Sequence, residues 1–168
     1  MHAVVVYESH WGNTRAVAEA IADGIGEGAR ALDTDAATAP ILADAELVVA
    51  GAPVMAFTLP REGVQTQLAG DIKAPRPADI THPLLRSWLD QMPEGHGWAA
   101  AFETRVWWSP RGATGIIQSK LEHAGYRRLT KAERFIVSGG YGPLRDGELD
   151  RARAWGAGLA EAVATRRD

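Results

Sequence analysis

The residues best suited to chemistry stand near the start of the chain, in Ser9-His10-Trp11-Gly12-Asn13-Thr14. They bring hydroxyl, amide and turn-forming side chains, and they lie between the β-prone run Val4-Val5-Val6-Tyr7 and an amphipathic helix. A buried strand that stops at a helix N-terminus makes an anion site. The amides of the turn and of the first helical turn have no intrahelical acceptors, and the helix dipole places partial positive charge there. Phosphate satisfies both. His10 could donate a proton, but the plainer role is a loop residue lending its amide. Two further irregular segments carry usable side chains: Pro53-Val54-Met55-Ala56-Phe57, and the polar and aromatic stretch Glu103-Thr104-Arg105-Val106-Trp107-Trp108.

Those segments need elements to hold them. After the first strand, Val17, Ile21 and Ile25 recur at helical spacing with Ala18 and Ala22 beside them, predicting a helix from Asn13 to Gly24 or Gly26. A second strand is expected at Ala29–Leu32 and a third over Ala45–Gly51, ending at Pro53. Leu59 to Ala78 carries three prolines and little periodicity, so it reads as a long loop. A helix resumes near Pro83 with Leu85, Trp88, Leu89 and Met92 on one face. Trp98–Phe102 predicts a fourth strand, with Glu103 to Pro110 as the loop after it. Ile117, Leu121 and Ala124 mark the next helix, which Gly125 ends. Phe135-Ile136-Val137 is the fifth strand, followed by the Gly139–Pro143 turn, in which Tyr141 reads as a turn residue. The last helix places Leu149, Ala152, Gly156, Leu159 and Val163 on one face, with Gly156 expected to bring its backbone close to the sheet. Strands alternating with helices imply a parallel sheet covered on both faces. Ligands of such sheets sit beyond the carboxyl ends of the strands, where strand order reverses. The turns after strands one, three and four meet there.

Composition excludes several functions. The chain has 168 residues, 46% of them hydrophobic, enough for one domain with a real core. A net charge of −3 argues against nucleic-acid binding, which relies on clustered Lys and Arg. With no cysteine, disulfides, thiolate metal sites and cysteine catalysis are excluded. The remaining histidines, His2, His82, His96 and His123, lack paired metal-ligand spacing, so no metal is expected. Gly24-Ile25-Gly26-Glu27-Gly28 follows a helix and is not a dinucleotide fingerprint. Arg127-Arg128-Leu129-Thr130-Lys131 reads as a solvated turn. No apolar run approaches the roughly 20 residues of a membrane span, and the first strand begins without a charged leader. A cytoplasmic monomer is the expectation.

The stretch from Val5 to Ile21, with an aromatic, a hydroxyl, a small residue, a threonine and a helix alanine at the expected intervals, resembles the FMN-phosphate signature of flavodoxins. The strand and helix order is similar to the short-chain form along essentially the whole chain, and Trp155-Gly156 is similar to the family's aromatic-glycine pair. The resemblance implies a flavodoxin-like α/β three-layer sandwich, residues 1–168 as a single domain. Its five-stranded parallel sheet would have the order 2-1-3-4-5, with helices on both faces. It implies FMN as cofactor, no catalytic side chain of the protein's own, and electron shuttling between a flavin or Fe–S reductase and an acceptor such as a haem enzyme. The alternatives are a substrate-reducing relative, of the NAD(P)H:quinone reductase or protoporphyrinogen oxidase type, and a flavin-free interaction domain.

Carried over residue by residue, the resemblance gives Ser9, Asn13 and Thr14 side-chain contacts to the phosphate, and His10, Trp11, Gly12, Asn13 and Thr14 backbone ones. Trp11 stands where a threonine is usual. Pro53, Val54, Met55, Ala56 and Phe57 would lie along the inner edge of the isoalloxazine, where a carbonyl within Pro53–Ala56 accepts from flavin N5–H and stabilises the semiquinone. No glycine lies between Gly51 and Gly63 to ease positive φ at that point. Glu103, Thr104, Arg105, Trp107 and Trp108 would form the outer loop, with Trp107 at the position of the stacking aromatic and Thr104 reaching the ring. Stacking on an indole favours a low potential, and Arg105 opposes that if its charge faces N1.

Overall fold

The computed structural model describes residues 1–167. Strand β1 (Ala3–Tyr7) feeds helix α1 (Asn13–Ile25), and β2 (Ala29–Asp33) returns beside β1. A short helix α2 (Ala39–Leu42) precedes β3 (Leu47–Pro53). Two further short helices follow, α3 (Val64–Ala69) and α4 (Leu85–Gln91). They are succeeded by β4 (Trp98–Val106), α5 (Thr114–His123), the two-residue strand β5 (Arg127–Arg128), β6 (Glu133–Val137) and the long α6 (Glu148–Thr165).

All strand pairs are parallel, and the order is β2-β1-β3-β4 with the fifth position shared by two segments. β5 pairs with the start of β4 at Trp98 and Ala99, and β6 pairs with its end from Phe102 to Val106. This is the expected 2-1-3-4-5 arrangement. Arg127 and Arg128, expected in a turn, are the strand residues that close the lower half of the fifth position, with their side chains exposed.

Alternation along β1 sorts the core into two layers, because successive side chains point to opposite faces. Val5 joins Val17, Ile21, Phe102, Phe135, Leu159 and Val163 under α1 and α6. Val4 and Val6 join Val48, Leu85, Trp88, Ile117 and Leu121 under α4 and α5. β1 and β3 are buried on both faces, which is why they read as unbroken apolar runs.

Three expectations change. Leu59–Ala78 is not without secondary structure, since it contains α3. The third strand does end at Pro53, as expected, opposite Thr104, where the missing N–H costs least. The fourth strand runs four residues past Phe102, so Glu103–Val106 is ladder rather than loop. The polar pair within it hid this: Glu103 and Arg105 satisfy each other inside the protein. Gly156, finally, approaches helix α1 and not the sheet. A methyl on Gly156 would overlap the Ile21 carbonyl, and one on Gly24 would overlap that of Arg153. Gly156→Ala is expected to destabilise by about 1–3 kcal/mol through overpacking, read as a lower denaturant midpoint; an unchanged midpoint means the two helices can separate freely.

Candidate functional site

At the carboxyl ends of β1, β3 and β4 lies a cavity of about 290 Å3. It gathers Ser9, His10, Trp11, Asn13 and Thr14 from the first loop and Pro53, Val54, Met55, Ala56 and Phe57 from the second. Thr104, Arg105 and Trp108 join them from the fourth strand and its exit. Gly12, Glu103 and Trp107 do not line it. Val106, Ser109, Val137 and Gly140 do, although the sequence did not single them out. The Gly139–Pro143 turn was the available signal, because it follows the fifth strand on the same sheet edge. Tyr141 belongs to that turn and reaches the first loop: its carbonyl accepts from Asn13 Nδ2 at 3.1 Å.

The first loop ends on Gly12, whose φ of 92° turns the chain into α1. Gly12 N–H donates to Ser9 Oγ at 3.2 Å, and Ser9 N–H donates to His82 Nε2 at 3.3 Å. The amides of His10, Trp11, Asn13 and Thr14 have no acceptor among the described residues. Thr14 Oγ1 lies 2.8 Å from Thr104 Oγ1, tying the helix start to β4. The Trp11 ring stands edge-on to Tyr141 with centroids 4.9 Å apart, and its Nε1 donates to the Arg76 carbonyl at 3.3 Å. The Arg76 guanidinium donates in return to the Trp11 carbonyl. Trp11 is therefore held on the strap at residues 71–79, which Tyr141 Oη also grips by donating to Asp71 Oδ2 at 2.7 Å.

Behind the loop is a buried polar network. His10 Nδ1 faces the Asp79 carbonyl at 2.9 Å, so that nitrogen carries hydrogen. His10 Nε2 lies 2.7 Å from Glu8 Oε2, and Glu8 Oε1 accepts Leu85 N–H at 2.7 Å. His82 stacks on His10 at 5.7 Å. Burial works to lower the His10 pKa, but the hydrogen bonds to Glu8 and the Asp79 carbonyl outweigh it and hold it above the usual value. The His10 side chain thus has a structural assignment beyond the amide role expected of it, and it depends on residues some seventy positions away.

The second loop is strained. Ala56 and Phe57 both have positive φ, 49° and 63°, inside a tight turn closed by Met55 N–H to Thr58 O at 3.0 Å and Thr58 N–H to Met55 O at 3.1 Å. Consecutive left-handed residues of this kind favour Asn or Gly, and each non-glycine residue there costs roughly 1–2 kcal/mol. Ala56→Gly is expected to stabilise by up to about 1 kcal/mol after glycine's own entropy cost, seen as a raised denaturant midpoint. A lowered midpoint would mean that Ala56 is not strained.

At the other wall, Arg105 Nη1 donates to Glu103 Oε1 at 3.1 Å, and its Nη2 donates to the Ser109 carbonyl. Glu103 is fully buried and Arg105 is 8% exposed. The positive charge of Arg105 is thus balanced by a carboxylate two residues away. Trp108, 57% exposed, stands at the mouth edge-on to Phe57 with centroids 6.0 Å apart, while Trp107 is 67% exposed and does not line the cavity. Among the described residues no cluster of metal ligands occurs, and no helix is long and apolar enough to cross a membrane.

The sheet order and the site at its carboxyl edge define the flavodoxin-like α/β fold. Solved structures agree. An archaeal flavodoxin superposes with a TM-score of 0.68 at 23% identity, over 98% of this chain and 99% of that one. Oxidised flavodoxin 1 from Bacillus cereus gives 0.67 at 18%, over 96% and 98%. A WrbA-like protein from Agrobacterium tumefaciens gives 0.63 at 18%, over 98% of each chain. No protein-family model matches the chain, and no curated protein matches it.

Proposed function

We propose that the protein binds FMN in the cavity and carries electrons between partner proteins. The observation that carries this is the set of unpaired amides at His10, Trp11, Asn13 and Thr14, gathered at the N-terminus of α1 beside the Ser9 and Thr14 hydroxyls. Such a cradle holds a phosphate without a lysine or arginine in the loop. The remainder of the cavity is a largely apolar slot walled by Val54, Met55, Phe57, Val106 and Trp108, suited to a flat ring system.

Bound FMN supplies reversible one- and two-electron transfer; the protein's part is binding and tuning. Within the second loop, the Met55 carbonyl is occupied by Thr58. The carbonyls of Val54 and Ala56 have no donor among the described residues and are available to a ring N–H. The Glu103–Arg105 pair keeps that wall electrically neutral. Trp108 covers the mouth and excludes water, and its exposed edge is where a redox partner meets the site. Gly12 and Glu103 act from behind the lining, one by shaping the loop and the other by holding Arg105.

Titrating the purified protein with FMN tests this: flavin fluorescence is expected to quench with one-to-one stoichiometry. Reduction by NADPH should then require an added reductase. A protein that leaves FMN fluorescence unchanged is not a flavoprotein, and steady NADPH oxidation with a quinone by the protein alone marks a self-sufficient reductase. In the same assay Trp108→Ala is expected to weaken FMN by roughly tenfold, from lost burial and stacking, and Trp107→Ala by less than twofold. Equal losses would contradict the assignment of Trp108 to the ring.

A further inference from the structure

A second concavity, a groove of about 710 Å3, lies on the outer side of the strained turn, between α3 and the start of α5. It shares the turn residues Met55, Ala56 and Phe57 with the first cavity, and the rest of its lining is different. Its charged groups are Arg61, Arg111 and Glu62, and Val64 and Ile116 form apolar wall. Elsewhere in the protein Arg15, Arg105, Arg128, Arg151 and Arg153 each face a carboxylate. Neither Arg61 nor Arg111 has an acceptor for its guanidinium among the described residues. With Glu62 opposing one of the two, the groove keeps a single uncompensated positive charge beside apolar and aromatic surface. A guanidinium is a planar fork that pairs with a carboxylate through two parallel hydrogen bonds.

We propose that this groove binds a small aromatic monocarboxylate, with its carboxylate between Arg61 and Arg111 and its ring against Phe57 and Ile116. One negative charge leaves the groove neutral, whereas a dianion overshoots and a neutral ring leaves the arginines unpaired. An occupant stands one side chain away from the first cavity, on the far side of Phe57. The two arginines that hold the carboxylate belong to the groove alone, so the charge recognition does not depend on what fills that cavity.

Benzoate, titrated into FMN-free and FMN-supplemented protein and followed by ligand-observed NMR, tests this. Saturable one-site binding is expected in both samples. Arg61→Gln and Arg111→Gln should each weaken it about fivefold, as for a solvent-accessible ion pair, and together by more than tenfold. The thermal midpoint should stay unchanged, because both side chains are exposed. Benzamide should bind at least tenfold more weakly than benzoate. Absence of saturation, equal binding of benzamide, insensitivity to both arginine changes, or displacement of benzoate by FMN would each overturn the proposal. A protein that takes up no FMN still yields the benzoate result, so the two readings fail separately.

Discussion

Glu103→Ala is expected to destabilise the protein by about 3–5 kcal/mol, the usual cost of removing one partner of a buried ion pair. Glu103 does three things at once. Its Oε1 accepts from Arg105 Nη1, and its Oε2 accepts the amides of Ala113 at 2.6 Å and Thr114 at 2.9 Å at the start of α5. It also fills the space beside Gly112, where an added methyl would overlap the carboxylate. Removal leaves a guanidinium buried without its carboxylate, two helix-start amides without an acceptor and a cavity. Each of these costs free energy in the same direction. Glu103→Gln separates them: it keeps the volume and can still accept from the helix amides, so its loss should be the smaller and should report mainly on Arg105. In the double variant Glu103→Gln, Arg105→Met the buried charge is gone, and stability should recover part of the way. Urea denaturation of the wild type, Glu103→Gln, Arg105→Met and the double variant forms a double-mutant cycle. Strict additivity across that cycle would show that the pair is not coupled and that Glu103 acts only as a cap for α5.

The same pair explains which parts of the site were legible in the sequence. The Ser9–Thr14 loop was readable because everything it needs is local: a strand that ends, a left-handed glycine and a helix whose first amides are free. The apolar runs marked the strands, and the strand order came from the family resemblance. The wall formed by β4 was not readable. Glu103 and Arg105 look like loop residues in isolation, but they are two apart on one strand, share a face, and cancel each other's charge there. Trp107 is placed by counting from a strand end at Phe102; the strand runs on to Val106, and it is Trp108 that lines the cavity. Gly156 was legible as a point of close approach but not as to its neighbour, because the packing of α6 on α1 is fixed by tertiary contact. The left-handed turn at Ala56-Phe57 was hidden for the opposite reason: local propensity argues against it, and it persists only because the ladder to Thr104 and the Met55–Thr58 closure impose it.

Stability is expected to fall as pH rises above neutrality, and His10 is the group that makes it fall. Its folded pKa lies above the ordinary histidine value, because the Glu8 and Asp79 hydrogen bonds overcome burial. The folded state therefore holds its proton more tightly than the unfolded chain does. That stabilisation is complete below the unfolded value of about 6.5 and is lost as pH climbs through the folded one. Losing the proton removes the Nε2 donor that Glu8 accepts, and Glu8 is fully buried and also anchors Leu85 N–H. The loss thus reaches both the Ser9–Thr14 loop and the start of α4, and the FMN binding proposed above is expected to weaken over the same range. His10→Leu should cost about 3–5 kcal/mol at pH 6, because it leaves Glu8 buried without its partner, and the penalty should shrink toward alkaline pH. Glu8→Gln should lower the His10 pKa and flatten the profile. The measurement is a set of urea denaturation midpoints from pH 6 to 9 on the three proteins. A wild-type profile that rises with pH, or one that keeps its slope in both variants, would show that the Glu8–His10 pair is not what links protonation to folding.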